Sequence, residues 1–123
     1  AKAANLSWAT LQDETWVLQQ HPSPMRAIIN QVFHNARVDI PSSIVETTSI
    51  MTLLSLIQQT DMLGVTPVSV VEDYPGRDLL AVLPIKFEAR LPPYGLITRR
   101  HRIQSSAMQA FMNSVRAEHA LSK

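Results

Sequence analysis

The chain has 123 residues, of which 46% are apolar and 17% charged, and its net charge is +1 with the histidines neutral. That is enough chain for one small domain with a real core, and the near balance of charge removes any global electrostatic case for nucleic-acid binding. Cysteine is absent, which excludes disulfides, thiolate metal sites and cysteine nucleophiles. No uninterrupted apolar run approaches a membrane span. The opening residues, Ala1-Lys2-Ala3-Ala4-Asn5, lack the long apolar stretch of a signal peptide.

In chain order, Ser7 can cap a short helix over residues 8–12, and residues 15–19 then read as a strand around Trp16 and Val17. His21-Pro22-Ser23-Pro24 breaks that strand. Ser23 followed by Pro24 is a helix start, a cap residue and then proline at the first helical position. Ile28, Ile29, Val32 and Phe33 follow at a spacing that makes one apolar face. Asn35 and Asp39-Ile40-Pro41 end the helix.

Residues 43–46 read as the next strand. The hydroxyl cluster Thr47-Thr48-Ser49 follows and leads into an apolar helix over residues 50–59. Residues 63–66 give a third strand, and Pro67 opens a short helix through Tyr74, stopped by Pro75-Gly76. Residues 79–85 are a long apolar run and read as a buried strand, with Pro84 disturbing its end. Pro92-Pro93 forms a rigid joint before a strand over residues 94–98. Ser105 or Ser106 caps a final helix carrying Met108, Phe111, Met112 and Val115. Strands alternating with helices predict an α/β fold with a mainly parallel sheet.

The candidate site is the pair of helix starts at Ser23 and at Thr47, Thr48 and Ser49. Each follows a strand, which places both at one sheet edge, where open α/β sheets bind ligands. A helix N-terminus offers free N–H groups and the positive end of a dipole, which suits a carboxylate or another anion. Plain capping, with no ligand, accounts for the same residues.

Other constellations point nowhere. Arg99-Arg100-His101-Arg102 is the one dense basic run, and without interleaved aromatics it reads as a solvated loop. His21, His34, His101 and His119 show no metal-ligand spacing, and glycine occurs only at 64, 76 and 95, so no phosphate loop, dinucleotide fingerprint or nucleophile elbow is present. No cofactor is implied and no catalytic set stands out.

The order strand, Glu46-Thr47-Thr48-Ser49, apolar helix, strand, Pro67 and short helix resembles the effector-binding domain of LysR-type transcriptional regulators. The resemblance extends upstream through Leu6-Ser7-Trp8-Ala9-Thr10-Leu11, Thr15-Trp16-Val17-Leu18 and Ser23-Pro24-Met25-Arg26. Downstream it takes in residues 79–85 and 94–100. The chain departs from the family where many members have a Gly-Leu-Gly turn, for Thr60-Asp61-Met62 stands there. Asp61 reads as a solvated or capping carboxylate.

The resemblance implies a periplasmic-binding-protein-like, Rossmann-like subdomain with a mainly parallel sheet, forming part of an effector-binding module. Residues 1–91 would be most of its second subdomain, and residues 92–123 the returning strand and C-terminal helix of the first. The opening strands and helices of the first subdomain, and the winged-helix DNA-binding region, have no counterpart in the chain. Ser23, Thr47, Thr48 and Ser49 would then border the effector cleft. The implied partner is a small-molecule effector, with an anionic metabolite fitting the helix starts. The implied setting is a cytoplasmic homo-oligomer that contacts DNA only through the winged helix. Its apolar faces around Leu96, Ile97, Phe111 and Val115 would drive association. The alternatives are a lobe of a solute-binding protein, which shares the two-subdomain closure, and a small α/β enzyme.

Overall fold

The structure is a computed structural model and describes residues 6–93, 95–100 and 103–121. They fall into two compact units, Ala1–Pro92 and Pro93–Lys123.

The first unit is built on a three-stranded parallel sheet. Helix α1 (Trp8–Leu11) leads into β1 (Trp16–Gln19), α2 (Pro24–Asn35), β2 (Ile44–Thr47), α3 (Ile50–Gln59), β3 (Leu63–Gly64) and α4 (Val68–Glu72). The strand order is β2-β1-β3, with Val17 opposite Val45 and Gly64, and Gln19 opposite Thr47. The chain therefore crosses from β1 to β2 in one direction and from β2 to β3 in the other. Right-handed crossovers of opposite direction place their helices on opposite faces of the sheet.

The burial pattern follows that arrangement. β1 is covered on both faces, so Trp16, Val17 and Leu18 are all buried. Trp16 and Leu18 pack with Leu11, Ile29 and Phe33 on the side of α1 and α2. Val17 points the other way and packs with Leu53 and Leu54 of α3. The period-2 alternation of a strand divides one short segment between two cores. The Trp16 indole N–H, buried with the ring, donates to the Leu11 carbonyl at 2.8 Å, which removes the cost of an orphaned donor. Trp8 and Trp16 both meet Phe33 edge-to-face, at centroid distances of 5.4 and 5.6 Å, a geometry the ring quadrupoles favour.

Local chemistry sets the helix ends. The Ser7 hydroxyl accepts the Thr10 N–H while the Thr10 hydroxyl accepts the Ser7 N–H, a reciprocal cap. Helix α2 ends in a Schellman arrangement, the Val38 N–H reaching the Phe33 carbonyl and the Arg37 N–H that of His34. Arg37 occupies the left-handed position, φ 58°, where glycine is usual. Helix α3 ends on Thr60, whose hydroxyl donates to the Leu56 carbonyl and accepts the Met62 N–H. Thr60 keeps an extended backbone, so the turn needs no glycine. Asp61 beside it is exposed.

Two of the five strands read from the sequence are not strands. Residues 79–85 start from the 3-10 turn Arg77–Leu79 and continue without a ladder. Leu80, Leu83 and Ile85 pack against the cores, but Leu79 and Val82 are 75% and 80% exposed. Apolar content makes such a run sticky, whereas a strand also needs a neighbour to take its N–H and C=O groups. Residues 95–98 likewise lie outside any ladder, and Tyr94 lies outside the described residues. The strand expected over residues 63–66 shrinks to Leu63–Gly64, which pair with Trp16 and Val17 of β1.

In the second unit the regular element among the described residues is α5 (Ser106–Leu121). Ser105 is its cap, accepting the Met108 N–H at 3.2 Å. Met112 is buried, while Phe111 is 60% exposed and Ile97, ahead of the helix, is 99% exposed.

Candidate functional site

The register of β1 against β2 brings the outgoing loops of both strands to the same sheet edge. Gln19 pairs with Thr47, so the residues just past them emerge side by side. A cleft of about 260 Å³ opens there, lined by Gln19, Gln20, His21, Pro22, Ser23 and Thr48. Ser23 and Thr48, placed on two separate helix starts by the sequence, face the same space.

The hydroxyls divide their work differently from a simple capping scheme. Ser49 caps α3, accepting the Thr52 N–H at 3.2 Å. The Thr47 hydroxyl accepts the Ser49 N–H at 3.1 Å. Neither residue lines the cleft. Ser23 occupies the N-cap position of α2 but makes no side-chain cap bond, contrary to the capping role expected of it. Its hydroxyl donates instead to the side-chain oxygen of Gln19. The pull of that amide acceptor, with proline removing the first N–H, leaves the start of α2 uncapped.

Two helix starts therefore present backbone donors. In α2 the N–H groups of Met25 and Arg26 have no acceptor within the helix, and in α3 the same holds for Ile50 and Met51. The lining contains no Asp, Glu, Lys or Arg. Attraction for an anion would come from aligned peptide dipoles, each helix contributing about 0.3–1 kcal/mol at an exposed terminus.

Directly behind the cleft lies Arg26, which is 8% exposed and was not singled out by its sequence context. Its guanidinium donates to Glu46 Oε1 at 2.7 Å, to the Gln19 carbonyl at 3.4 Å and, through Nε, to Asn30 Oδ1 at 3.3 Å. The signal for it was available. Arg26 stands three and seven residues before Ile29 and Phe33, on the buried stripe of α2. A cation there requires an acidic partner, and Glu46 was the residue just ahead of the hydroxyl cluster.

A second, larger cavity of about 460 Å³ wraps the edge strand β3, with Trp8 and Trp16 on one side and Leu54 and Ile57 on the other. Its polar content is small, and the buried Thr66 hydroxyl in its wall has no partner. Apolar walls around a strand laddered on one side only are those of a sheet edge. Among the described residues no three acidic or histidine side chains come together as a metal ion requires, and no helix is long and apolar enough to cross a membrane.

The chain is 23% identical over 112 residues to the HTH-type transcriptional regulator GbpR of Azospirillum brasilense, an alignment covering 91% of the chain and 33% of that protein. The chain thus spans about a third of the length of this relative. No solved structure matches it. The LysR substrate binding domain matches residues 1–120. With its parallel α/β sheet and a match over nearly its whole length, the chain belongs to the LysR substrate-binding domain family, whose fold is of the periplasmic-binding-protein kind.

Proposed function

We propose that the chain senses a small-molecule effector for a LysR-type transcriptional regulator, and that the effector sits at the polar cleft between the starts of α2 and α3. The observation that carries this reading is the convergence of Ser23 and Thr48 on one cleft at the carboxyl edge of a parallel sheet, where α/β folds place their ligands. The free N–H groups of Met25, Arg26, Ile50 and Met51 suit a carboxylate or similar anion. Thr48 lines the cleft, whereas the hydroxyls of Thr47 and Ser49 are engaged with backbone N–H groups. Within the cluster Thr48 is therefore the residue that meets the effector.

In this reading residues 1–91 are most of the second subdomain of the effector module, and residues 92–123 return to the first. The effector favours one conformation of the module over the other. That difference in affinity is what shifts the population and, through a homo-oligomer, the geometry on DNA. DNA contact belongs to a winged-helix region outside this chain. The module is cytoplasmic and performs no catalysis.

Replacing Thr48 with Val in the regulator keeps the shape and removes the hydroxyl. The effector response should fall about tenfold or more while stability changes by about 1 kcal/mol at most, since the hydroxyl makes no cap. Thr47→Val should cost more stability and less response. An unchanged response in Thr48→Val moves the site elsewhere.

A further inference from the structure

A buried guanidinium is expensive to desolvate, and a buried ion pair contributes little net stability compared with apolar packing. Arg26 also stands in the first turn of α2, where the helix dipole disfavours a cation. Its place needs another account, and its partners supply one. One nitrogen of the guanidinium, Nη1, reaches both the Gln19 carbonyl on β1 and the Glu46 carboxylate on β2. Gln19 in turn holds the Ser23 hydroxyl through its side chain. Glu46 lies two residues before Thr48. The β1–β2 ladder ends at Gln19 and Thr47, so beyond it Ser23 and Thr48 stand on outgoing loops that the ladder does not hold. Arg26 ties the start of α2, and with it Ser23, to the ends of both strands, and it is not among the residues lining the cleft.

We propose that Arg26, with Glu46 as its counter-charge, is the positioning residue of the polar cleft: by bonding the start of α2 to the ends of β1 and β2, its side chain fixes the spacing of Ser23 and Thr48 without itself touching the bound molecule. This rests on the cleft being the effector site. The role is geometric. Any acceptor of the right length at position 46 serves, and loss of either partner releases the same helix start.

The test is a titration of the chain with acetate, followed by NMR amide shifts at Met25, Thr48 and Ile50, for the wild type and the variants Arg26→Met, Glu46→Ala, Glu46→Gln and Arg26→Met/Glu46→Ala. Arg26→Met and Glu46→Ala should each weaken acetate binding about fivefold, the scale of one ordinary hydrogen bond. The double variant should be no weaker than either single one. Glu46→Gln should bind within about twofold of wild type, because its amide oxygen still accepts the Arg26 bond. A role limited to stability would show no such rescue in affinity, since Glu46→Gln leaves the buried cation without its counter-charge. Should Arg26→Met fail to fold, Glu46→Ala carries the test alone, its side chain being 42% exposed.

Affinities of Arg26→Met and Glu46→Ala within twofold of wild type would overturn the proposal. So would opposite effects, Arg26→Met weakening and Glu46→Ala strengthening acetate, which mark direct charge attraction. Thr48→Val is run beside them. If it binds acetate as wild type does, or if wild type shows no saturable shifts, the cleft itself is the wrong site and the positioning role falls with it. If Thr48→Val weakens binding and the Arg26 and Glu46 variants do not, only the positioning role falls.

Discussion

Two stretches of this chain carry similar apolar residues and meet opposite fates. Around β1, the stripes of α2 and α3 close over a strand buried on both faces, and Phe33, Leu53 and Leu54 are almost wholly removed from water. From residue 79 onward, runs just as apolar leave Val82, Ile97, Ile103 and Phe111 largely in solvent. The difference is a partner. β1 has a parallel neighbour on each side, whereas residues 79–85 and 95–98 have none among the described residues. Hydrophobicity supplies the drive to be covered, and ladder and layer decide where that drive is satisfied.

The contrast is sharpest in a pair of truncations. Phe33→Ala should cost about 3–5 kcal/mol in urea denaturation, since a large ring leaves a packed core. Phe111→Ala, at an exposed position, should change stability by less than about 0.5 kcal/mol. Equal costs would erase the distinction between the two stretches.

The second stretch should reveal itself in association instead. Exposed apolar patches of this kind draw partners, so the chain should sediment as more than a monomer, and Ile97→Lys with Phe111→Lys should shift it toward the monomer. A dilute wild-type monomer that stays monomeric on concentration would show that these faces need no cover.

Within the well-packed stretch, finer devices can be probed singly. Thr60→Val removes the hydroxyl that joins the Leu56 carbonyl to the Met62 N–H, at a cost of about 1 kcal/mol. Arg37→Gly relieves a left-handed residue at the end of α2 and should raise stability by about 0.5–1 kcal/mol in the same assay. A loss at that position would mean the Arg37 side chain contributes more than its backbone costs.

These particulars show which features were legible in the sequence. The helix starts at Pro24 and after Ser49 follow from cap chemistry, and the α2 stripe from its spacing, because both are local. β1 and β2 were legible for the same reason. Residues 79–85 were not, because strand formation depends on a neighbour that composition cannot reveal. The site divides along the same line. That Ser23 and Thr48 would converge followed from the order of strands and helices. That Ser23 turns to Gln19 rather than capping, and that Arg26 reaches Glu46 behind the cleft, depend on register and side-chain packing across the sheet. The Thr60 turn shows the reverse case, a departure from the family pattern whose geometry was hidden until its hydroxyl was placed.

The proposed anion site joins two helix starts, and mapping a small carboxylate on the wild-type chain is its most direct test. With acetate added stepwise, the amides of Met25, Arg26, Ile50 and Met51 should shift together with one weak dissociation constant, and Thr48 should move with them. Shifts confined to one helix start, or centred on residues lining the apolar cavity around β3, would contradict it.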